Sequence, residues 1–150
     1  MNCYELRENW ELQCAYGWLV RTGNVDDALF LTDLEELLAE ACAQGDDAIV
    51  RKLLSMGVST TRSRDNVNAI VIAAAWDLTS TIRTLLEHAD PIPTKWLTIA
   101  ACRSLAHENS EAVDMLFKRG AMITAQMVRM AETDPAARRM VHKRLLEILV

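Results

Sequence analysis

Three histidines are the side chains of this chain best suited to proton transfer, because only imidazole normally titrates close to neutral pH. His88 falls at the C-terminus of a predicted helix, His107 precedes a predicted helix break, and His142 lies in a basic run. None of them has a carboxylate, serine or cysteine at a recognisable catalytic spacing. We therefore expect structural or surface roles for all three. A small enzyme whose pocket is assembled by the fold, for example around His107 and Cys102, stays open as an alternative.

Three pairs of adjacent acids have the side chains of metal ligands or of acid–base carboxylates. They are Asp26 with Asp27, Glu35 with Glu36, and Asp46 with Asp47. Two of these pairs fall at predicted helix starts, where a negative charge is stabilised by up to about 1 kcal/mol, so helix capping is the simpler interpretation. The chain contains no glycine-rich phosphate loop, no H-E-x-x-H motif and no D-x-D-x-D-G loop. The sequence therefore predicts no catalytic residue, no metal and no cofactor.

The four cysteines also lack the spacing of a metal or redox site. Cys3, Cys14, Cys42 and Cys102 are scattered among apolar neighbours, without a C-x-x-C pair. Reduced thiols of this kind are typical of cytoplasmic proteins. The first ten residues lack the basic start and the apolar stretch of a signal peptide, and no apolar run approaches the roughly 18 residues of a membrane span. We expect a cytoplasmic protein without a membrane segment.

The charge of the chain is unevenly distributed. The 150 residues are 51% apolar and 25% charged, with five glycines and three prolines, which is typical of one helix-rich globular domain. Residues 1–50 contain eleven acids and two arginines, whereas each later block of fifty has two more basic than acidic residues. Because a nucleic-acid-binding domain usually presents a dominant basic face, we do not expect nucleic acid as the partner. The acidic part suits a protein partner with a basic patch.

One basic run supports a different function. Its cations are Arg138, Arg139, Lys143 and Arg144. The same stretch has an apolar stripe at helical spacing, formed by Ala137, Met140, Val141, Leu145 and Ile148. This stripe indicates that the cations form the solvated face of an amphipathic helix. A nucleic-acid-associated regulatory protein that uses this basic C-terminal helix is the alternative function.

The elements that position these residues are helix pairs that recur at a fixed spacing. In the first pair, a helix over about residues 33–43 ends at Gly45, and a second helix, capped by an aspartate, ends at Gly57. An apolar dipeptide in the second helix recurs after 32 and then 31 residues, as Leu53–Leu54, Leu85–Leu86 and Leu116–Phe117. In a last unit, Asp134 caps the second helix. A period near 32 predicts a stacked array of helix pairs.

These pairs resemble the ankyrin repeat, in which a turn is followed by two antiparallel helices. The first copy matches the family at Leu38, Ala41, Cys42, Gly45, Ile49, Val50, Leu53, Leu54 and Gly57. The second copy keeps Ile70, Ala73, Ala74, Ile82, Leu85 and Leu86, but has Asp77 and Ala89 where the family has glycine, and no copy contains the T-P-L-H tetrapeptide. The resemblance implies an all-α, ankyrin-like helical-repeat array over residues 32–149. With an N-terminal capping helix and loop over residues 1–31, the chain would be a single domain.

The resemblance also nominates a binding surface. Trp76, at the end of a first helix, would lie on the concave face of such an array, where it is either a binding anchor or buried by the neighbouring unit. Its counterparts would be Gln44 in the copy before and Arg103 in the copy after. The linker over residues 58–68 would form the protruding finger of the family, which nominates Arg64, Asp65 and Val67.

Together these features predict a non-enzymatic protein-binding module. Its concave face and finger would hold a partner protein, and it would act as an inhibitor, an immunity-type protein or an adaptor, by occlusion or sequestration. The apolar ending LLEILV leaves self-association open, since an end repeat normally needs a polar outer face.

Overall fold

The computed structural model describes residues 14, 16–21, 34–60 and 67–149. Within these ranges every regular element is a helix, so the predicted all-α class is confirmed there. Residues 16–21 are helical. The helices after them are α1 (Leu34–Gln44), α2 (Asp47–Ser55), α3 (Ala69–Ala75), α4 (Thr79–His88), α5 (Thr94–Ala106), α6 (Ser110–Lys118), α7 (Ala125–Thr133) and α8 (Pro135–Leu149). The rest of the predicted N-terminal helix and loop lies outside the described residues.

The helices pack as four pairs in chain order. Within each pair the two helices contact one another, as α1 with α2, α3 with α4, α5 with α6, and α7 with α8. The first helices of successive pairs also contact, as α1 with α3, α3 with α5, and α5 with α7, and the second helices do the same from α2 to α8. Two rows of helices therefore run side by side through the molecule. None of the helices in the described ranges is long and apolar enough to cross a membrane.

The same turn geometry closes the first helix in three successive pairs. Each turn has one residue with positive φ, namely Gly45 at 73°, Asp77 at 57° and Glu108 at 57°. The amide of the next residue donates back across the turn, from Asp46 to Ala41, from Leu78 to Ala73 and from Asn109 to Ser104, at 2.9–3.0 Å. This Schellman-type closure satisfies carbonyls that the end of a helix would leave unpaired. The backbone thus repeats even where the glycine does not.

Side-chain caps begin several of the helices as the sequence predicts. The amide of Ile49 donates to Asp46 Oδ1 at 3.3 Å, and the amide of Ala112 donates to Asn109 Oδ1 at 3.1 Å. In the last pair the only connecting residue is Asp134, whose Oδ1 accepts from the amide of Ala136 at 3.0 Å.

Polar contacts join the N-terminal ends of the second helices in neighbouring pairs. The hydroxyl of Thr81 donates to Asp47 Oδ1 at 2.7 Å. One pair further on, Asn109 Nδ2 donates to Thr79 Oγ1 at 2.6 Å and to Asp77 Oδ1 at 2.8 Å. These bonds join residues about thirty positions apart in the chain, so they fix how one pair sits on the next. Small buried residues such as Ala73, between the first helices, allow the two backbones to approach closely.

Candidate functional site

Trp76 is the most prominent exposed aromatic side chain in the described part of the chain. It is the C-cap of α3, where its amide donates to the carbonyl of Ile72 at 3.2 Å. The short apolar helix AIVIAAA holds this end of the chain in place, because Ile70, Ala73 and Ala74 are fully buried against the neighbouring pairs. The indole itself is 66% exposed. The next pair therefore leaves Trp76 open to a partner.

The repeated turn defines which residues share the position of Trp76. The residues directly before Gly45, Asp77 and Glu108 are Gln44, Trp76 and His107, so these three occupy equivalent positions. The expected counterpart Arg103 is therefore one helical turn too early, because α5 is longer than α3 at its N-terminal end. His107 Nε2 donates to the carbonyl of Ala75 at 3.0 Å, which links the two turns directly. Aligning the turns instead of the helix starts would have found His107 from the sequence.

A groove lies beside this row, between α5 and α7. Its volume is about 480 Å³, and it is lined by Thr98, Ile99, Cys102, Arg103, Ala106, Thr124, Gln126 and Met130. Cys102 Sγ and Met130 Sδ lie 3.8 Å apart in it. Arg103 is exposed at its edge, one turn before His107 on the same side of α5. A mostly apolar groove with a cation at its edge can accept an apolar side chain beside an acidic group.

Cys102 does not have the environment of a reactive thiol. Partial burial raises its pKa, and the nearby Arg103 charge lowers the pKa by less. A catalytic cysteine needs a lowered pKa, because the thiolate is the nucleophile. His107 is five residues further along α5, which turns the two side chains about 140° apart. Their partners differ accordingly, Met130 for the thiol and the Ala75 carbonyl for the imidazole.

The remaining nominated residues have different outcomes. Gln44 is exposed at the end of α1, where its Nε2 donates to Glu40 Oε1 at 2.9 Å. Val67 is partly buried and packs against the core. Arg64 and Asp65 lie outside the described residues. The structure therefore brings the first-helix ends into one row, whereas the finger predicted from residues 58–68 is described only at its two ends.

The chain has no match among models of known protein families or among curated proteins. Within the described ranges, no three histidines, cysteines or acids lie together in a way that could hold a metal ion.

The basic helix α8 already uses most of its cations inside the molecule. Arg138 donates from Nε and Nη2 to the carbonyls of Ala131 and Glu132, at 3.0 Å each. Lys143 Nζ lies 3.5 Å from Asp114 Oδ1. Arg144 pairs with Glu147 at 3.4 Å, and its guanidinium carbon lies 5.5 Å from the centre of the Phe117 ring. These contacts would have to be exchanged for phosphate contacts, which weakens the case for nucleic-acid binding through α8.

Proposed function

We propose that this protein is a non-enzymatic protein-binding module of the ankyrin-like type. The observation that carries the proposal is the exposed indole of Trp76 at the end of a first helix, beside a row of equivalent helix ends. Tryptophan is enriched among the residues that dominate the binding energy of protein interfaces. The paired helices, the 31- to 32-residue period and the repeated turns all support an ankyrin-like relation.

The energetics favour a partner that covers Trp76. A tryptophan side chain presents up to about 250 Å² of surface, and covering the exposed two-thirds at about 25 cal/mol per Å² is worth about 4 kcal/mol. The groove between α5 and α7 adds a second contact for the same partner, with Arg103 at its edge. The surface formed by the ends of the first helices is therefore the binding face of the proposal.

The chemistry of this face varies along the row. Gln44 and Glu40, one turn before it, lie at this end of α1, which has no basic residue. Arg103 belongs to α5, two pairs further along. The partner is expected to present a basic patch to the first pair and an acidic group to Arg103. A cytoplasmic inhibitor, immunity-type protein or adaptor that covers its partner's surface would act in this way.

Site-specific photo-crosslinking tests this proposal. A photoreactive residue is placed at Ala75 or at Ala106, both exposed beside the binding face, and at Met56 on the second row as a matched control. The protein is then irradiated in an extract of the cells that produce it, and the adducts are identified by mass spectrometry. We expect one partner at positions 75 and 106 that is absent at position 56 and is lost when Trp76 is replaced by alanine. The same adducts at all three positions would contradict the proposal.

A further inference from the structure

The second helices show how each pair meets the next one. In each second helix the amide of the fourth residue donates to the carbonyl of the residue just before the helix. These four equivalent amides belong to Val50, Ile82, Val113 and Arg138. The residues one turn later are Leu54, Leu86, Phe117 and His142. In the first three helices both positions are apolar and buried, and Val113 and Phe117 face α8. In α8 the same positions are the exposed Arg138 and His142.

Arg138 and His142 make part of the outer face of the last pair polar, but an apolar groove remains on this face. The groove lies between α7 and α8, has a volume of about 420 Å³, and is lined by Val128, Ala131, Glu132, Arg138, Val141, His142 and Leu145. From Leu145 onward, α8 continues past the point where α2 and α6 end in a glycine turn. This extension exposes Leu145, Leu146, Ile148 and Leu149, the last by 80%. An apolar groove beside four exposed apolar side chains indicates an interaction surface.

The opposite end of the array also exposes apolar side chains. In the helical segment 16–21, Leu19 is buried in the core, whereas Trp18 is 41% exposed and Val20 is 52% exposed. The Tyr16 hydroxyl donates to Asp46 Oδ2 at 3.4 Å, which fixes this segment against the first pair. Trp18 and Val20 therefore belong to the outer surface of the first pair.

The two ends have opposite charge. Residues 16–21 and 34–50 together contain five acids and one cation, Arg21, whose guanidinium lies over the Trp18 ring. Helices α7 and α8, with Asp134 between them, contain five lysines and arginines against the three acids Glu132, Asp134 and Glu147, so this end keeps a smaller net positive charge. A contact between two basic ends would place like charges together, whereas a contact between a basic end and an acidic end attracts.

We propose that copies of this chain associate head to tail, with the Trp18 end of one copy docked on the α7–α8 face of the next. The occupant of the apolar groove is then a second copy, held by the exposed apolar residues of both ends and oriented by their opposite charges. Each copy in such a contact still has one free face of each kind. The association is heterologous, so it continues beyond the dimer instead of closing at two copies.

Sedimentation equilibrium of the purified protein gives the first test. We expect the weight-average mass to rise steadily above the 16.8 kDa of the monomer as concentration increases, without a plateau at the dimer. The association should weaken in about 1 M salt, where charges more than about 3 Å apart are screened from one another. A monomer at every concentration would overturn the proposal, and so would a plateau at the dimer.

Two end variants then test the polarity of the contact. Trp18→Asp blocks one end and Leu145→Asp blocks the other, and each variant alone should be at least about tenfold weaker in self-association, the effect of losing one modest contact. Mixed together, they retain one intact end of each kind, so they should form a 1:1 dimer and nothing larger. Met122→Asp, which charges an exposed apolar residue outside both ends, should associate like the wild type.

A second pair of variants covers the case in which these substitutions disturb folding. Val20→Asp and Leu149→Asp charge more exposed residues of the same two surfaces, and helical circular dichroism verifies that each variant is folded. The mixing experiment is then repeated with them. Continued self-association of either folded variant on its own, or a mixture that stays monomeric, would refute the head-to-tail arrangement.

Discussion

Replacing Trp76 by alanine should separate binding from folding. The indole is 66% exposed, so only about a third of its surface is buried against the rest of the protein. Full removal of a buried aromatic costs about 3–5 kcal/mol, so for the buried third we expect the free energy of unfolding to fall by about 1–1.7 kcal/mol. The loss in partner binding should be larger. Covering the exposed part is worth about 4 kcal/mol at most, and truncated interface hot spots typically lose at least about 2 kcal/mol, which together predict a 30- to 1000-fold weaker Kd.

The assay needs two measurements on the same variant. Urea unfolding followed by circular dichroism gives the free energy of unfolding, and isothermal titration with the cross-linked partner gives Kd. Trp96→Ala is the matched control, because Trp96 packs partly against the core. It should lower stability and leave the Kd of the folded protein unchanged. A Kd of Trp76→Ala within about twofold of the wild-type value would contradict a binding role for this indole, because a loss of 1.4 kcal/mol already weakens Kd about tenfold.

Three further predictions concern stability. Gly45→Ala should lower the free energy of unfolding by about 1–2 kcal/mol because φ is +73°, whereas Glu108→Gly should raise it by up to about 1 kcal/mol because Glu108 has φ of +57°. Urea unfolding of both variants measures this, and a loss in Glu108→Gly would contradict it. Asn109→Ala removes a helix cap and two bonds to the preceding pair, so it should cost about 2–3 kcal/mol. Asn109→Ser, which keeps a cap acceptor without adding a charge beside Asp77, should cost less in the same unfolding assay. Burial raises the pKa of Cys42 to about 12, so above pH 9 the unfolded thiol ionises while the folded one stays protonated. The stability advantage of wild type over Cys42→Ala should therefore fall by up to about 1.4 kcal/mol per pH unit between pH 9 and 12, and a constant difference would exclude this cause.

The helix pairs and most of their ends could be predicted from the sequence because their signals are local. Asp46, Asn109 and Asp134 cap helices through side-chain oxygens, as their residue types favour. Gly45 and Gly57 occupy positive φ, as glycine permits. Each of these features depends on a few neighbouring residues, so no knowledge of the packing was needed.

The two turns without glycine have a weaker signal in the sequence than the turn at Gly45. Asp77 and Glu108 adopt φ of 57°, and nothing in a glutamate marks that conformation in advance. Asp77 has a visible reason, since its carboxylate accepts from Asn109 across the pair boundary. The sequence predicts a helix break after His107, but an alignment counted from the helix start pairs Arg103 with Trp76, because α5 is longer than α3.

The exposure of Trp76 could not be predicted because it depends on the next pair. An indole after three alanines fits a buried position as well as an exposed one, and the choice is made by what α5 places beside it. The same holds for Arg138 and His142. Arg138 and His142 correspond to Val113 and Phe117 because the amides of Arg138 and Val113 make the same hydrogen bond at the start of their helices. This equivalence is visible in the backbone and not in the residue types.

The repeated turn would give the proposed binding face its specificity. Equal turns place residues 44, 76 and 107 at equivalent positions, whereas their side chains can differ. The side chains along the stack are therefore an amide, an indole and an imidazole. The additional turn of α5 lies at its other end, since its C-terminal turn matches those of α1 and α3. The length of α5 therefore changes without moving His107 out of the row. A stack built in this way keeps its backbone constant and varies its chemistry one pair at a time, which is what recognition of a single partner surface requires.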